Sequence, residues 1–235
     1  VDVPAATTAA AGAIRSGTRA GPLAVTVTEP PVTTEAAARV GAVIGTFTTY
    51  HAPGQPRVAN IHRIADEIDG TVVPAGKQFS IDRITGRRTL AEGYVRAPQI
   101  VRGQLEDGVA GGISQFGTTM FNAAFFAGLP LDEFQPHSFY ISRYPVGREA
   151  TLAYGALDVK WTNDTGAPVL VDTSYTATSI TVTLYGDNGG RRVEANVGAR
   201  RPRANGGFTV GVTRTVSGPV SNERTITTSY NPAPE

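Results

Sequence analysis

The chain is poor in the residues that most often carry metal, redox or thiol chemistry. Its 235 residues include no cysteine, one methionine, one tryptophan and three histidines. Without cysteine there is no disulfide framework, no thiolate metal site and no thiol nucleophile. The histidines, at positions 51, 62 and 137, lack the spacing of metal ligands, and His62 and Asp66 have the i, i+4 separation of an ordinary helix-surface pair. We therefore expect no metal and no cofactor.

Charge and hydropathy exclude two further classes of protein. The 21 basic and 20 acidic residues leave a formal net charge of +1, so we expect no nucleic-acid partner. No segment approaches the ~20 apolar residues of a membrane span. With 40% hydrophobic residues the chain can bury a core as one domain, or as one domain with an appendage. Short basic runs at Arg87-Arg88, Arg191-Arg192 and 200–203 are typical of solvated surface, and contact with an anion is the alternative.

The first 35 residues are rich in Ala, Thr and Gly and differ from the rest of the chain. We predict a short helix over Thr8–Arg15 and a strand over Leu23–Thr28, which ends at the chain breaker Pro30-Pro31. A helical turn is predicted to open at residues 33–35. The β-branched segment Val43–Tyr50 then predicts a strand.

Secondary-structure patterns change from helical to β-like along the rest of the chain. Asn60 is a candidate N-cap for a helix that ends before Gly70, a second helix is predicted over 113–128, and the residues between Phe79 and that helix are predicted to form a loop. The β-like segments that follow are Phe139–Tyr144, Thr151–Trp161, Pro168–Tyr175, Ser179–Tyr185, Arg192–Val197, Phe208–Val216 and Glu223–Tyr230. Helices followed by runs of strands predict an α+β fold, with central helices packed on an antiparallel β-sheet and a β-rich C-terminal half.

The most informative segment joins a glycine turn to the start of the second helix, at Gly111-Gly112-Ile113-Ser114-Gln115. Glycines adopt backbone conformations closed to residues with a Cβ, so this turn can present polar side chains at the first turn of the helix. Polar residues then recur at helical spacing, which predicts a polar face opposite an apolar one. The predicted ligand-binding residues are Gly111, Gly112, Gln115, Thr118, Thr119, Asn122 and Ser138.

The same segment resembles the signature of the VanW family, which usually reads Gly-Gly-Gly-Ile-Cys-Gln followed by a helix of the Thr-Thr-Leu-Tyr-Asn-Ala type. Further matching blocks are Val73–Ser80, Gly93–Ile100, Pro136–Ser138, Tyr144–Ala150 and Leu157–Val159. Together they cover about residues 45–185. Two positions depart from the pattern, because Ala110 stands where the first glycine is usual and Ser114 stands where the cysteine is usual.

The resemblance implies an exported protein of the bacterial cell envelope, associated with glycopeptide-resistance gene sets. VanW proteins are often held by an N-terminal membrane helix, so we expect this chain to be an ectodomain without its anchor. Residues 1–35 resemble the tail of the repeated domain, associated with peptidoglycan binding, that often precedes VanW. Residues 36–235 would then be the VanW-like domain with a β-rich C-terminal extension. The implied partner is peptidoglycan or a precursor peptide, and the oligomeric state is left open.

A catalytic interpretation makes Ser114 a nucleophile, because N–H groups at a helix start favour developing negative charge. His137 is the candidate base, since a 15-residue helix carries the chain about 22 Å away and eight extended residues can return about 26 Å. Asp158 is the candidate acid that orients the imidazole. The structural alternatives are a helix cap for Ser114, a loop carbonyl contact for His137 and a pair with Lys160 for Asp158. Neither a Gly-x-Ser-x-Gly elbow nor a Ser-x-x-Lys motif is present to activate the hydroxyl.

Three functions remain open at this point. The favoured one is non-catalytic binding of peptidoglycan or a precursor through the polar cleft, because a catalytic thiol is not normally exchanged for a hydroxyl without losing most of the rate. The second is a serine variant of a cysteine-type hydrolase or transferase that acts on a cell-wall amide or ester. The third is a non-catalytic scaffold in envelope assemblies.

Overall fold

The computed structural model describes residues 2–18, 20–21, 25, 33–38, 40–101 and 104–233, and the chain divides into two compact units, residues 1–33 and 34–235. The first unit contains helix α1 (Val3–Arg15), which Asp2 caps by accepting a hydrogen bond from the Ala5 N–H (3.0 Å). The predicted N-terminal helix is confirmed and begins earlier, at this cap. The strand predicted over Leu23–Thr28 lies, apart from Val25, outside the described residues, as does Pro30-Pro31.

The second unit is α+β, as predicted. Its helices are α2 (Thr34–Ala38), α3 (Pro56–Ile68), α4 (Ile81–Thr85) and α5 (Ser114–Ala127), with a 3-10 turn at Leu90–Glu92. Its strands are β1 (Ala42–Tyr50), β2 (Val72–Val73), β3 (Gln78–Ser80), β4 (Arg96–Val101), β5 (Gln104–Val109), β6 (Leu131–Glu133), β7 (Lys160–Thr162), β8 (Val169–Thr176), β9 (Ser179–Gly186), β10 (Arg192–Val197), β11 (Arg201–Pro202), β12 (Phe208–Ser217) and β13 (Asn222–Tyr230).

The main antiparallel sheet has the strand order β1-β9-β8-β2, and helices α3 and α5 pack on it. Helix α5 approaches β1 closely at Gly45, where an added Cβ would lie 2.3 Å from the carbonyl oxygen of Ala123. Only glycine fits there without moving the helix. This contact joins the C-terminal half of α5 to the first half of β1, and hydrogen bonds from Gln115 and Thr119 to Tyr50 and Thr49 join the start of the helix to the end of the strand.

The remaining strands form three further antiparallel sheets, of four, three and two strands. Strands β10 and β11 pair with one side of β12, and β13 pairs with its other side. Strands β3, β7 and β6 form a second group, in which the buried Trp161 stacks on Phe79 with ring centroids 4.9 Å apart. Strands β4 and β5 form a hairpin that leads directly into the glycine turn before α5.

The helix predicted before Gly70 is confirmed, but its predicted cap at Asn60 and the predicted loop before α5 are wrong. Helix α3 begins at Pro56, which suits the first helical position, and Asn60 lies inside the helix and is fully buried. Its amide donates to the carbonyls of Val95 and Gly111 and accepts from the Val95 N–H, so tertiary hydrogen bonds replace the predicted capping role. The predicted loop between Phe79 and α5 contains α4 and the β4–β5 hairpin.

Two of the predicted strands are also wrong, whereas those corresponding to β8, β9, β10, β12 and β13 are confirmed. Phe139–Tyr144 makes a single bridge, between Phe139 and Asn231, and most of Thr151–Trp161 is loop that precedes β7. Both segments carry apolar and aromatic residues because they pack around a cavity instead of pairing in a sheet.

Candidate functional site

The turn before α5 requires both glycines, for different reasons. Gly112 has a φ of 87°, which confirms the expected left-handed conformation. An added Cβ at Gly111 would lie 2.0 Å from the carbonyl oxygen of Ala97, so close packing excludes a side chain there. Ala110, which stands where the VanW pattern usually has glycine, has a φ of 63°, the one positive φ of a non-glycine residue in the described ranges.

The polar face of α5 does not line a cleft, and this corrects the predicted site. Gln115, Thr118, Thr119 and Asn122 are completely buried. Gln115 accepts from Arg57 and donates to the Thr49 hydroxyl and the Tyr50 carbonyl. The other three side chains are hydrogen-bonded to strand β1 or to the segment 148–150. The whole face is internally satisfied, so we expect these residues to hold the framework of the site and not to contact a ligand.

A cavity of about 600 Å³ opens beside the first turn of α5. It is lined by the glycine turn, by Ser114 and by residues of the segments 137–144 and 151–157. Ser114 is half-buried, and its Oγ accepts a hydrogen bond from the Leu152 N–H (3.1 Å). Ser114 therefore does not cap α5, and its hydroxyl lies at the wall of the cavity.

His137 lines the same cavity, and a glutamate orients it. Its Nδ1 lies 2.6 Å from Oε2 of Glu149, and both side chains are buried. The ring of Tyr144 stacks beside the imidazole at a centroid distance of 5.6 Å, and burial raises the pKa of that tyrosine. Glu149 was not predicted as a site residue, although it lies in the VanW-like block Tyr144–Ala150.

Asp158, the predicted partner of His137, has a different role. Its carboxylate accepts hydrogen bonds from the Ser80 hydroxyl (2.6 Å) and from the backbone N–H groups of Asp82 and Val159. It joins the β3–α4 junction to β7, and Lys160, its alternative partner, pairs with Glu133 (2.7 Å). Glu149 takes the place at the imidazole because residues 148–151 run alongside the chain at His137, where the Thr151 N–H donates to the Gln135 carbonyl.

The cavity is strongly basic. Its lining includes four arginines, Arg57, Arg87, Arg88 and Arg143, and among the described residues no aspartate or glutamate. Arg88 pairs with Asp82 outside the lining, whereas its Nε and Nη1 are buried and have no hydrogen-bond partner in the described protein. In the basic run Arg87-Arg88, Arg87 is exposed, as expected for solvated surface, whereas Arg88 is buried, and both line the cavity.

A second cavity, of about 920 Å³, lies on the other side of His137. It is lined by the segment 134–139 and by strand β13, and it shares His137, Thr151 and Leu157 with the first cavity. Ser138, a predicted ligand-binding residue, is exposed and lines this second cavity only.

The other histidines do not form a metal site. Within the described ranges no group of three or more His, Cys, Asp or Glu side chains could hold a metal ion. His62 stacks on Tyr175 at 3.8 Å, and the Tyr175 hydroxyl donates to Asp66, so the expected direct pair of His62 and Asp66 is replaced by contacts of both with the tyrosine.

Comparisons with known proteins identify the family of this chain. The model of the family described as VanW like protein matches residues 56–185, which is more than half of the chain. The chain belongs to the VanW family. It is 36% identical over 143 residues to the uncharacterized protein YoaR of Bacillus subtilis, an alignment that covers 60% of this chain and 47% of the relative. The chain thus spans about half the length of the curated relative that it matches.

The VanW match covers the basic cavity but not the whole site. Arg57, Arg88, Ser114, His137 and Glu149 all lie within residues 56–185, whereas β13 lies beyond them. No solved structure matches the chain. Among the described helices none is long and apolar enough to cross a membrane.

Proposed function

We propose that this VanW domain is a cell-envelope protein that binds a peptidoglycan precursor peptide through a carboxylate held in the arginine-lined cavity. The observation that carries the proposal is that four arginines, and no acidic side chain of the part of the chain that the structure describes, line a cavity of about 600 Å³. The VanW resemblance supplies the cell-wall context, and the geometry supports an anionic ligand. The volume is in the ordinary range of ligand pockets.

Arg57 is the strongest argument for an anion. Its side chain is buried, no described carboxylate pairs with it, and burial lowers the pKa of its guanidinium. It donates to Gln115 and lies beside the Tyr144 hydroxyl, which are neutral partners. A buried charge without a counter-ion is costly, so an anionic ligand would stabilise the folded protein as it binds.

Two further groups favour negative charge at the same place. The first turn of α5 lines the cavity, and N–H groups at a helix start carry partial positive charge. Arg88 adds a second buried guanidinium to the lining, and its ion pair with Asp82 holds it in place. A planar carboxylate suits such preorganised guanidinium groups.

Calorimetry with a muramyl pentapeptide and with its C-terminal amide tests the proposal. We expect the free carboxylate to bind at least about tenfold more tightly than the amide, a difference of ~1.4 kcal/mol. Arg57→Gln should weaken binding of the free acid by a similar factor. Arg143→Gln should also weaken it, and because Arg143 is exposed, this second change does not disturb the core. Arg63→Gln, on the same helix α3 but paired with Glu67, is the matched control.

Equal binding of acid and amide would contradict the proposal. If the protein binds neither ligand and does not sediment with cell-wall material, the scaffolding function becomes the better explanation. Inorganic phosphate is a useful competitor, because a general anion site would lose the peptide at millimolar phosphate.

Acyl transfer or hydrolysis is the second candidate, and one observation favours it. Ser114 and His137 line one cavity, and Glu149 orients the imidazole as an acid does in nucleophile–base–acid sites. Mass spectrometry of muropeptides incubated with the protein tests this candidate. We expect no released product from the wild type, and Ser114→Cys, which restores the usual family residue, shows whether the surrounding groups support turnover. Product from the wild type that disappears in Ser114→Ala would establish the enzyme.

A further inference from the structure

The two cavities adjoin at His137, Thr151 and Leu157, which belong to both linings. A ligand bound in the arginine-lined cavity would reach the second cavity by passing these residues. In the second cavity, the segment 134–139 forms one wall and consecutive residues of β13 form the other.

Strand β13 has an unused edge toward this cavity. It pairs with β12 on one side, and over residues 223–229 no described backbone group pairs with its other side. The Asn231 N–H donates outward, to the Ser138 carbonyl (2.8 Å). Because backbone direction alternates along a strand, Thr225, Thr227 and Ser229 present their N–H and C=O groups on the same outer side.

The segment 134–139 approaches β13 at both ends of the cavity. At one end Asn231 bonds to Ser138, and Phe139 forms a parallel bridge with the same asparagine. At the other end Arg224 donates to the Leu131 carbonyl and lies over the ring of Phe134. Between these contacts the two stretches of chain are separated by the cavity.

A buried hydroxyl in this cavity also lacks a partner. Thr228 is 3% exposed, lines the cavity, and its Oγ1 has no hydrogen-bond partner in the described protein. The Oγ1 of Thr151, a residue that lines both cavities, also has no hydrogen-bond partner in the described protein. Buried polar groups are normally satisfied, and these two hydroxyls are exceptions in the walls beside the cavities.

We propose that the peptide ligand runs in extended form from the arginine-lined cavity past His137 into the second cavity, where it adds as a strand to the outer edge of β13. Main-chain hydrogen bonds to Thr225, Thr227 and Ser229 then contribute affinity that is insensitive to side-chain identity. This inference rests on the proposed function, because the carboxylate in the first cavity sets the starting point of the strand.

The test compares two ligands of different length in calorimetry. An acetylated dipeptide with the C-terminal sequence of the muramyl pentapeptide reaches the arginine-lined cavity only, whereas the pentapeptide extends beyond His137. We expect the pentapeptide to bind about tenfold more tightly, as two added neutral hydrogen bonds of ordinary strength would provide.

Thr227→Pro removes one outward N–H without removing a hydrogen bond to β12, since proline is tolerated on a strand edge. It should lower pentapeptide affinity toward that of the dipeptide and leave dipeptide affinity unchanged. Thr227→Val keeps the N–H and is the matched control, which should preserve the length effect.

The outcomes separate the two proposals. Equal affinity for dipeptide and pentapeptide, or a length effect that survives in Thr227→Pro, overturns the strand-addition proposal while carboxylate binding stands. Loss of dipeptide binding in Arg57→Gln supports the first cavity independently of β13. If the wild type binds neither ligand, both proposals are overturned.

Discussion

Replacement of Gln115 by alanine tests whether the polar face of α5 is a framework or a binding surface. Gln115 is fully buried, accepts a charge-assisted hydrogen bond from Arg57 (2.8 Å), and donates to Thr49 (3.0 Å) and Tyr50 (3.1 Å). The bond to Arg57 contributes roughly 1.5–3 kcal/mol and each neutral bond about 1 kcal/mol. Gln115→Ala should therefore lower the free energy of unfolding by about 3–5 kcal/mol.

Urea denaturation followed by circular dichroism measures this change. With an m-value of about 2 kcal/mol/M, the midpoint should fall by about 2 M. The matched control is Gln55→Ala, because Gln55 is exposed before α3 and makes no capping hydrogen bond, so its effect should stay within about 0.5 kcal/mol. A loss below about 1 kcal/mol for Gln115→Ala, together with weaker ligand binding, would show that Gln115 faces a ligand and would refute this interpretation.

Two further predictions concern the glycine turn and a buried histidine. Gly112→Ala should lower the free energy of unfolding by more than the ~1–2 kcal/mol of a left-handed alanine, because an added Cβ lies 2.5 Å from the Cβ of Arg57. Gly54→Ala is the control, because Gly54 has a φ of 74° and open space around it, so this change measures the conformational cost alone. Equal losses of stability in the two variants would contradict the steric argument. Burial lowers the pKa of His51 from 6.5, so protonation favours the unfolded chain and stability should fall as pH drops below about 6.5. The urea midpoint of His51→Gln should fall less between pH 7.5 and 5.5 than that of the wild type, and an equal fall would refute this prediction.

Periodicity predicted much of the secondary structure because the signals are local. Alternating apolar residues predicted the strands that became β8, β9, β12 and β13, and Gly128, with a φ of 80°, ends α5 as expected. The α+β class follows from their order along the chain. The strand predicted at Phe139–Tyr144 is wrong, since an aromatic stretch that lines a cavity has the same composition as a strand.

The site itself was only partly predictable. The glycine turn, Ser114 and His137 were recognised from the sequence, and the structure places the two side chains at one cavity. The sequence does not distinguish Asp158 from Glu149 as the partner of His137, because sequence separation carries no information about which carboxylate folds back to the imidazole. Glu149 fills that place, only 12 residues from His137, through an ordinary loop.

The sequence by itself determined the family, the fold class, the lack of thiol chemistry and the left-handed turn that starts α5. Each of these depends on residue types and on contacts between near neighbours in the chain. Only the tertiary structure decided that the polar face of α5 is internal and that Arg57, Arg88 and Arg143 converge on one cavity. Helical spacing shows that side chains share a face, but whether that face meets solvent or a strand depends on long-range packing against β1 and the segment 148–150.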